Sequence, residues 1–287
     1  MNESQVNDST FSFRGGRLDL SKKTCIAGIL NVTPDSFSDG GKFLEPQAAL
    51  RHAEKMIKEG ADVIDVGGES TRPRSVPVTE SEEIARVVPV ISELVKRFDA
   101  VVSVDTYKAS VAKAALDAGA HIINDVSALR FDPELADVAS AYGAGLILMH
   151  MKGTPLTMQD NPEYNDVMFE IADFLGKAID NARTAGVRFE SIMVDPGIGF
   201  GKKLVHNLTI LKSLSQLRLL RRPIMVGPSR KSFIGELLNL PVEERLPGTL
   251  AAIVICVLSG ASVVRVHDVK EAREAVVIAD AVARTGD

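Results

Sequence analysis

The sequence is poor in cysteine and lacks the cysteine spacings of metal or redox sites. Its two cysteines, Cys25 and Cys256, lie in apolar runs, and neither belongs to a CxxC motif. Disulfides are typical of secreted proteins, whereas cytosolic proteins keep their thiols reduced. We therefore expect two buried, reduced thiols in a cytoplasmic protein.

Long hydrophobic runs and an excess of positive charge are also missing. The apolar run at residues 250–258 is far shorter than the about 20 residues that a membrane-spanning helix needs, and the polar start of the chain lacks a signal-peptide pattern. The net charge is −5, which argues against nucleic acid or an anionic membrane as the main partner. A small anionic substrate is compatible with this balance, because a local cationic pocket can lie in an acidic protein.

Short β-branched runs alternate with longer helical patterns along the 287 residues. Most of the runs are nearly continuously apolar, which is typical of parallel strands buried on both faces. The predicted strands are residues 25–30, 62–66, 101–104, 121–124, 145–149, 192–194, 223–226 and 262–266. Helical patterns between them include residues 46–59, 79–97, 108–118, 133–142 and 165–185. About eight repeats of strand and helix predict an α/β fold, a single (β/α)₈ TIM barrel.

The start of the chain does not follow this alternation. Residues 10–21, with two glycines in the middle, predict a hairpin, which we expect to cover the barrel floor. The chain is thus divided into a leader with a hairpin, residues 1–24, and a barrel, residues 25–287. The alternative is an open doubly wound sheet, which usually carries GxGxxG after its first strand. Here the first strand leads into NVTPDSFSDGG, which has no such motif.

Nearly every predicted strand ends in a polar or charged residue. In a barrel these ends converge on one face, where active sites are built. An Asp after a strand is often the N-cap of the next helix, and this is our expectation for Asp125 and Asp268. Arg265 differs, because an arginine inside a barrel strand needs a partner or a ligand.

One set of these strand-end residues is positively charged. Arg72, Lys231, Arg265 and His267 follow or lie in the second, seventh and eighth strands. Ring closure places these strands on one side of the barrel, with only the first strand between the eighth and the second. The set predicts a site for an anionic group such as a phosphate.

A second set offers acceptors and an amide. Asp105, Asn124 and Asp195 end the third, fourth and sixth strands. Such groups suit a flat heterocycle that is rich in N–H donors. The alternative for both sets is a salt-bridge network that closes the barrel top.

Two long polar loops, residues 31–41 and 67–77, follow the first two strands. They are too polar for core, and their composition predicts mobile lids over the barrel mouth. The alternative is a pair of ordinary surface loops.

Eight motifs follow one another in the chain after Thr24. They are GILNVTPDSFSDGG (28–41), DVGGESTRP (65–73), SVDT (103–106), NDVS (124–127), MHMKGTP (149–155), DPGIGFGK (195–202), GPSRKSFIG (227–235) and RVHDV (265–269). Together they resemble the dihydropteroate synthase family, and the first of them is highly specific. The resemblance covers nearly the whole chain.

The resemblance implies an enzyme that condenses 6-hydroxymethyl-7,8-dihydropterin pyrophosphate with p-aminobenzoate in folate biosynthesis. It implies Mg²⁺ as the cofactor, held in part by Asn31. It implies catalytic roles for Asp105, Asp195, Lys231 and Arg265. Pterin contacts are implied for Asp105, Asn124, Met149, Asp195, Lys231 and Arg265. Pyrophosphate contacts are implied for Asn31, Thr71, Arg72, Arg265 and His267. Contacts with p-aminobenzoate are implied for Thr33, Asp35, Phe37, Ser70, Pro73, Phe200, Lys231 and Ser232.

The chemistry that follows is a dissociative substitution, because the pterin ring can delocalise the positive charge left on the methylene. No residue resembles an activated nucleophile, so we expect no covalent enzyme intermediate. One alternative is a methyltransferase that moves a methyl group from a folate to a corrinoid protein on the same barrel. That family lacks the NVTPDSFSDGG loop. The other alternative is a pterin-binding paralogue without turnover, against which the intact site residues weigh.

Residues 248–261 are apolar on nearly every side. An outer barrel helix should have one apolar stripe and one polar face, so the second face of this helix predicts a protein contact. The resemblance also implies a homodimer formed by the last helices. The alternative is cover from neighbouring helices of the same chain. In the following helix, residues 269–283, we expect Ala275, Val276, Ile278, Ala279 and Val282 to form the buried side.

Overall fold

The computed structural model describes residues 9–33, 45–71 and 74–285. Its strands are β1 Thr10–Phe13, β2 Gly16–Asp19, β3 Cys25–Asn31, β4 Val63–Gly67, β5 Val101–Asp105, β6 Ile122–Asp125, β7 Gly145–Met149, β8 Ile192–Asp195, β9 Met225–Val226 and β10 Val263–Val266. Its helices are α1 Glu45–Lys58, α2 Glu80–Arg97, α3 Ala109–Asp117, α4 Glu134–Tyr142, α5 Val167–Thr184, α6 Leu204–Ser213, α7 Ser232–Leu238, α8 Leu246–Leu258 and α9 Val269–Ala283. None of the helices within these ranges is long and apolar enough to cross a membrane.

Strands β3 to β10 form one parallel sheet in the order β8-β7-β6-β5-β4-β3-β10-β9. A parallel bridge between Val194 and Ile224 joins the two ends of the sheet and closes the ring. Each strand leads into a helix on the outside of the ring. The predicted (β/α)₈ barrel is therefore confirmed, and the open doubly wound sheet is wrong.

Helix ends follow local capping rules. The Thr79 side chain accepts a hydrogen bond from the amide of Glu82, which fixes the start of α2, and Lys96 and Arg97 lie in its last turn. Acceptors at the first turn and cations at the last turn satisfy the free backbone groups and the helix dipole. Asp166 caps α5 in the same way, accepting from the amides of Met168 and Phe169.

The hairpin of β1 and β2 packs against the amino-terminal ends of the barrel strands. Phe11 and Phe13 share an apolar cluster with inward-facing residues such as Ile122 and Met193. A Cβ at Gly145 would lie 2.7 Å from the Phe11 ring, so glycine leaves the space that the ring fills. The hairpin covers the barrel floor, as expected from the sequence.

Inward-facing residues become polar towards the carboxyl ends of the strands. Along β4 the apolar Val63 is followed on the same face by Asp65, and along β10 Val263 is followed by Arg265. Barrel interiors are usually filled by layers of branched apolar residues. The upper layer here is instead built from charged and amide side chains, and this layer forms the site.

Candidate active site

Arg265 lies between two carboxylates from other strands. Its Nε donates to Asp65 Oδ2 at 2.6 Å, and its Nη2 donates to Asp105 Oδ2 at 2.6 Å. Asn124 Nδ2 also donates to Asp65 Oδ2, at 3.0 Å. Burial alone would lower the pKa of Arg265, but the two carboxylates raise it above its usual value. The arginine therefore has the partners that its position in a strand requires, and it connects the cationic set to the acceptor set.

The acceptor set keeps unused oxygens. Asp65 Oδ1, Asp105 Oδ1 and Asn124 Oδ1 are buried and have no hydrogen-bond partner among the residues that the structure describes. Each buried acceptor without a partner costs about 1–3 kcal/mol. These oxygens are acceptors that a ligand with several N–H groups can satisfy.

The carboxylates Asp105 and Asp195 have raised pKa values. Burial raises the pKa of Asp105 to about 7, against the opposing effect of Arg265. Burial raises the pKa of Asp195 to about 6, although its Oδ1 accepts a 2.6 Å hydrogen bond from the amide of Gly197 and Lys231 lies nearby. Titration near neutral pH at buried strand ends is typical of functional sites.

Lys231 and Phe200 form one wall of the site. The Lys231 ammonium lies 4.0 Å from the centre of the Phe200 ring. Burial and Arg265 together lower the pKa of Lys231 to about 8, against the opposing effect of Asp195. Gly199 has a φ of +83°, and a Cβ there would lie 3.2 Å from Lys231 Cδ, so the loop passes close to the lysine stem. Met149 packs in a small apolar cluster against which Phe200 also lies.

A buried lysine supports the loop that carries Phe200. Lys202 Nζ donates to the carbonyl oxygens of Phe200 at 2.9 Å and of His150 at 3.3 Å, and it lies 3.0 Å from His150 Nδ1. Burial and Lys202 lower the pKa of His150 to about 2. A Cβ at Gly197 would overlap the carbonyl of His150, so only glycine fits there. The hydrogen bond from Lys202 to the carbonyl of Phe200 fixes the position of Phe200 beside Lys231.

His267 is a neutral hydrogen-bonding group, and its place in the cationic set is wrong. Burial and Arg265 lower its pKa to about 3. Ser229 Oγ accepts from the backbone amide of His267 at 3.3 Å and lies 3.0 Å from His267 Nδ1. When the hydroxyl gives its own proton to Nδ1, the ring proton lies on Nε2. His267 can then donate to an anion but adds no charge.

Asn31 ends β3 opposite Gly67 of β4, which in turn pairs with Asp105 of β5. A Cβ at Gly67 would lie 3.7 Å from Asn31 Oδ1 and 3.6 Å from Asp105 Cβ. The glycine therefore leaves a space between the amide and the carboxylate. Asn31 is half-buried, and so is Thr71, in the loop that follows β4.

Glu69 anchors the loop that follows β4. Its carboxylate accepts from Tyr107 at 2.7 Å, from Lys108 at 2.6 Å and from the amide of Val78 at 3.1 Å. Lys108 also donates to Glu83 at 2.7 Å. Both carboxylates are buried. The two residues that follow Glu69, Ser70 and Thr71, are thus held at one end by a network of charged hydrogen bonds.

The structure brings many of the sequence-predicted residues to one face of the barrel. Those at or just beyond the carboxyl ends of the strands are Asn31, Thr33, Ser70, Thr71, Asp105, Asn124, Met149, Asp195, Phe200, Lys231, Arg265 and His267. Ser232 is the first residue of α7 and is exposed. Four predicted residues lie outside the described ranges: Asp35, Phe37, Arg72 and Pro73.

Sequence reasoning assigned no role to Asp65, although it interrupts a buried strand on the same face as Asp105. Neither predicted helix cap is formed. Asp125 accepts from the amides of Ser127 and Leu129 in the turn after β6, whereas Pro133 is the N-cap residue of α4. Asp268 makes no side-chain capping bond to α9. Its carboxylate instead forms a two-point pair with Arg230, because the arginine reaches it from the loop after β9.

Comparisons with known proteins agree on one family. The sequence model described as "Pterin binding enzyme" matches residues 27–267. The chain is 48% identical to the dihydropteroate synthase of Clostridium beijerinckii over 93% of this chain and 97% of that protein. It superposes with a TM-score of 0.90 on the Yersinia pestis dihydropteroate synthase in a sulfonamide drug complex, at 47% identity over 95% of this chain and 98% of that chain. The Xanthomonas albilineans dihydropteroate synthase with 4-aminobenzoic acid gives a TM-score of 0.90 at 41% identity, over 97% of this chain and 100% of that chain.

Proposed function

Since the chain belongs to the dihydropteroate synthase family of pterin-binding enzymes, we propose that its barrel mouth condenses 6-hydroxymethyl-7,8-dihydropterin pyrophosphate with p-aminobenzoate. The products are 7,8-dihydropteroate and pyrophosphate, and the reaction belongs to folate biosynthesis. The observation that carries this conclusion is the cluster of buried, unpartnered acceptors around Arg265. A pterin ring offers the N–H donors that this cluster lacks.

The pterin is held by the acceptor layer. Asp105, Asn124 and Asp195 accept from ring N–H groups, and Lys231 donates to a ring oxygen or nitrogen. Arg265 presents a planar guanidinium, fixed by Asp65 and Asp105, against which a flat ring can stack. Met149 supplies an apolar contact from the end of β7.

The pyrophosphate lies on the side of β3, β4 and β10. His267 donates through Nε2, Thr71 through its hydroxyl, and Arg265 adds positive charge. Arg72 belongs to this set by its place in the sequence. The neutral state of His267 is compatible with this role, because a neutral imidazole still donates one hydrogen bond.

Asn31 fits a magnesium site in which the protein supplies few of the ligands. No group of three or more His, Cys, Asp or Glu side chains that could hold a metal occurs within the described ranges. Mg²⁺ prefers oxygen ligands and usually keeps several waters, with few protein ligands besides substrate phosphates. The Asn31 carbonyl oxygen, in the space left by Gly67, suits such a site. When bound, Mg²⁺ would neutralise charge on the pyrophosphate leaving group.

The chemistry is a dissociative substitution at the pterin methylene. The bond between the methylene carbon and the pyrophosphate oxygen breaks, and its electron pair leaves with the oxygen. The pterin ring shares the positive charge that remains, and the carboxylates of Asp105 and Asp195 stabilise this electron-poor ring. The amine of p-aminobenzoate then attacks the methylene through its lone pair, and the proton that it loses passes to water or to the released pyrophosphate.

The p-aminobenzoate ring packs against Phe200, beside Lys231. Ser232 lies at the start of α7, next to Lys231 in the chain. Thr33 and Ser70 lie in the loops after β3 and β4, and the family resemblance adds Asp35, Phe37 and Pro73, which lie outside the described residues. The aryl amine is neutral at pH 7, so its attack requires no strong general base.

We also propose a homodimer formed by α8 and α9. The outer faces of these helices expose Ile255, Leu258, Val277, Ile278 and Val282, each at least 45% exposed. The assignment of Ile278 and Val282 to the buried side was wrong. The buried side of α9 is formed by Val269, Ala272, Val276 and Ala279. The larger apolar residues therefore face outward and form a patch with α8 that a second copy can cover.

The thiols of Cys25 and Cys256 are free and buried. This state fits the cytoplasmic location that we propose, because the reducing cytosol keeps such thiols unpaired.

One assay tests the proposed activity. The purified chain is incubated with both substrates and Mg²⁺, and dihydropteroate is measured together with released pyrophosphate. We expect product only when both substrates are present, and a severe loss in a folded Lys231→Ala variant. A folded chain that forms no dihydropteroate under these conditions would refute the proposal.

A further inference from the structure

Arg230, the residue before Lys231, adopts a left-handed backbone conformation. Its φ is +56°, a region that residues with a Cβ rarely occupy. Such conformations persist only where surrounding contacts impose them, and they cluster at functional sites. The loop that delivers Lys231 to the barrel mouth is therefore held by its surroundings.

Four hydrogen bonds impose this conformation on Arg230. Its amide donates to Thr249 Oγ1 at 3.0 Å, and its carbonyl accepts from Arg245 Nη1 at 3.1 Å. Its guanidinium donates through Nε and Nη2 to the two carboxylate oxygens of Asp268, at 3.0 and 2.5 Å. Three partners thus fix Arg230: Thr249 binds its amide, Arg245 its carbonyl and Asp268 its guanidinium.

The partners of the backbone groups belong to the start of α8. Thr249 is buried inside the first turns of that helix, and Arg245 directly precedes it. Arg245 also donates through Nε to the carbonyl of Leu240 at 3.1 Å. A Cβ at Gly235 of α7 would overlap the Arg245 guanidinium, so only glycine admits the arginine at this place. The position of Arg230 is therefore set by α7 and α8 together.

The partner of the side chain belongs to the end of β10. Asp268 follows His267, and His267 is bonded to Ser229, the residue before Arg230. Two neighbouring residues of the loop after β9 are thus tied to two neighbouring residues after β10. His267 is one of the tied residues and Lys231 directly follows Arg230, and the proposed function places both in the substrate site.

We propose that Arg230 is a positioning residue that holds Lys231 and His267 in their catalytic arrangement, and that Asp268, Thr249 and Arg245 act through it. The proposal rests on the proposed function for the roles of Lys231 and His267. Because the Arg230–Asp268 pair is partly exposed, with side chains 34% and 19% accessible, it contributes little to stability. Its loss should appear in turnover more than in thermal unfolding.

A matched control exists at the opposite end of the barrel. Arg273 pairs with Asp62 at 2.5 Å and donates to the carbonyls of Gly60 and Thr24, near the amino-terminal ends of the strands. Arg230→Met and Arg273→Met therefore remove the same kind of side chain from the same kind of pair. Each variant is compared with the parent in Tm, in kcat and in KM for both substrates.

We expect Arg230→Met to lower kcat by about 100-fold, the order of loss that a misplaced catalytic group causes. Arg273→Met should keep kcat and KM within about twofold of the parent, the usual scatter for independent sites. Arg230→Lys should not restore turnover, because one ammonium cannot bind both oxygens of Asp268. A kcat for Arg230→Met within about twofold of that for Arg273→Met overturns the proposal.

A second variant guards against misfolding. Thr249→Val keeps the shape of the side chain and removes only the acceptor of the Arg230 amide. Reduced kcat at an unchanged circular dichroism spectrum supports the proposal, and unchanged kcat overturns it.

Calorimetric titration with pyrophosphate separates this proposal from the proposed function, because it needs no turnover. Weaker binding to Arg230→Met than to Arg273→Met supports the positioning role, and equal affinity overturns it. A parent chain that binds pyrophosphate but forms no dihydropteroate refutes the proposed function alone.

Discussion

Arg265 donates its Nε to Asp65 Oδ2 at 2.6 Å, across a separation of 200 positions in the chain. The same carboxylate oxygen accepts from Asn124. Asp65, for which no role was predicted, thus orients Arg265 and Asn124, two groups that the proposed function places at the pterin.

We predict that Asp65→Asn lowers kcat/KM for the pterin substrate by about 10- to 100-fold, since a hydrogen bond to a charged group contributes about 1.5–3 kcal/mol. The shape of the side chain is kept, but Arg265 loses a charged partner. Steady-state kinetics measure the effect. Asp62→Asn, which weakens the Arg273 pair at the barrel floor, is the matched control and should leave kcat/KM unchanged. Equal effects of the two substitutions would show that Asp65 does not orient the site.

Lys108→Met should destabilise the chain and loosen the loop after β4. The substitution leaves Glu69 and Glu83 buried without their cation, and breaking a buried pair in this way costs about 3–5 kcal/mol. Urea unfolding measures the loss of stability. KM for the pterin pyrophosphate should also rise, because the loop that Glu69 anchors carries Thr71, a proposed pyrophosphate contact. Lys113→Met removes an exposed pair with Asp117 and should leave the free energy of unfolding nearly unchanged.

The compensating variant of this network is Lys108→Met combined with Glu83→Gln. Glu83→Gln removes one of the two buried carboxylate charges that lose their cation. The double variant should therefore recover part of the free energy of unfolding that Lys108→Met loses. No recovery in the double variant would mean that the single loss came from packing instead of charge.

The pH profile of kcat/KM should have two limbs. In the proposed mechanism, Asp105 and Asp195, with pKa values raised by burial to about 7 and about 6, must be ionised to stabilise the electron-poor pterin. Activity should therefore fall as the pH drops through 7 and 6, when these groups take up protons. It should fall again above the Lys231 pKa of about 8, when the ammonium loses its charge. The limbs report the coupled site as a whole. A profile that is flat from about pH 5 to about pH 9 would contradict these roles.

The proposed homodimer should dissociate when a charge is placed on the outer face of α9. Ile278→Lys should convert a dimer into a monomer, because burying an unpaired ammonium in an apolar interface is unfavourable. Light scattering should give twice the 30.8 kDa chain mass for the parent and one chain mass for the variant. Phe169→Lys, on α5, changes an equally exposed residue outside the proposed interface and should remain a dimer. A monomeric parent would refute the proposed interface.

Much of the fold follows from sequence periodicity, because buried parallel strands are continuous apolar runs. Residues 145–149 were predicted as a strand and form β7, and residues 62–66 differ from β4 by one position. The predicted strand at 223–226 is longer than β9, which covers only Met225–Val226. Pro223 has no amide hydrogen to donate to a ladder, and Ile224 forms only a bridge.

The individual pairings in the site were harder to predict. Periodicity indicates that Arg265 faces inward, but the choice of Asp65 and Asp105 as partners depends on how strands are staggered around the ring. Asp268 was interpreted as a cap because an Asp after a strand usually is one. Its pairing with Arg230 depends on a left-handed residue, which no local pattern marked. In α9 the small Ala272 and Ala279 let the helix approach the barrel closely, so Ile278 and Val282 face outward.

The aromatic rings of the hairpin close the barrel at its floor. Phe11 is completely buried and Phe13 nearly so, and with Met193 and Met225 they plug the lower barrel within the described part of the chain. In the proposed reaction, substrates and products therefore share the opening formed by the strand ends. Bulk water has the same route to the methylene carbon of the pterin. The balance between capture by the amine and hydrolysis in this proposal therefore depends on whether p-aminobenzoate fills the opening.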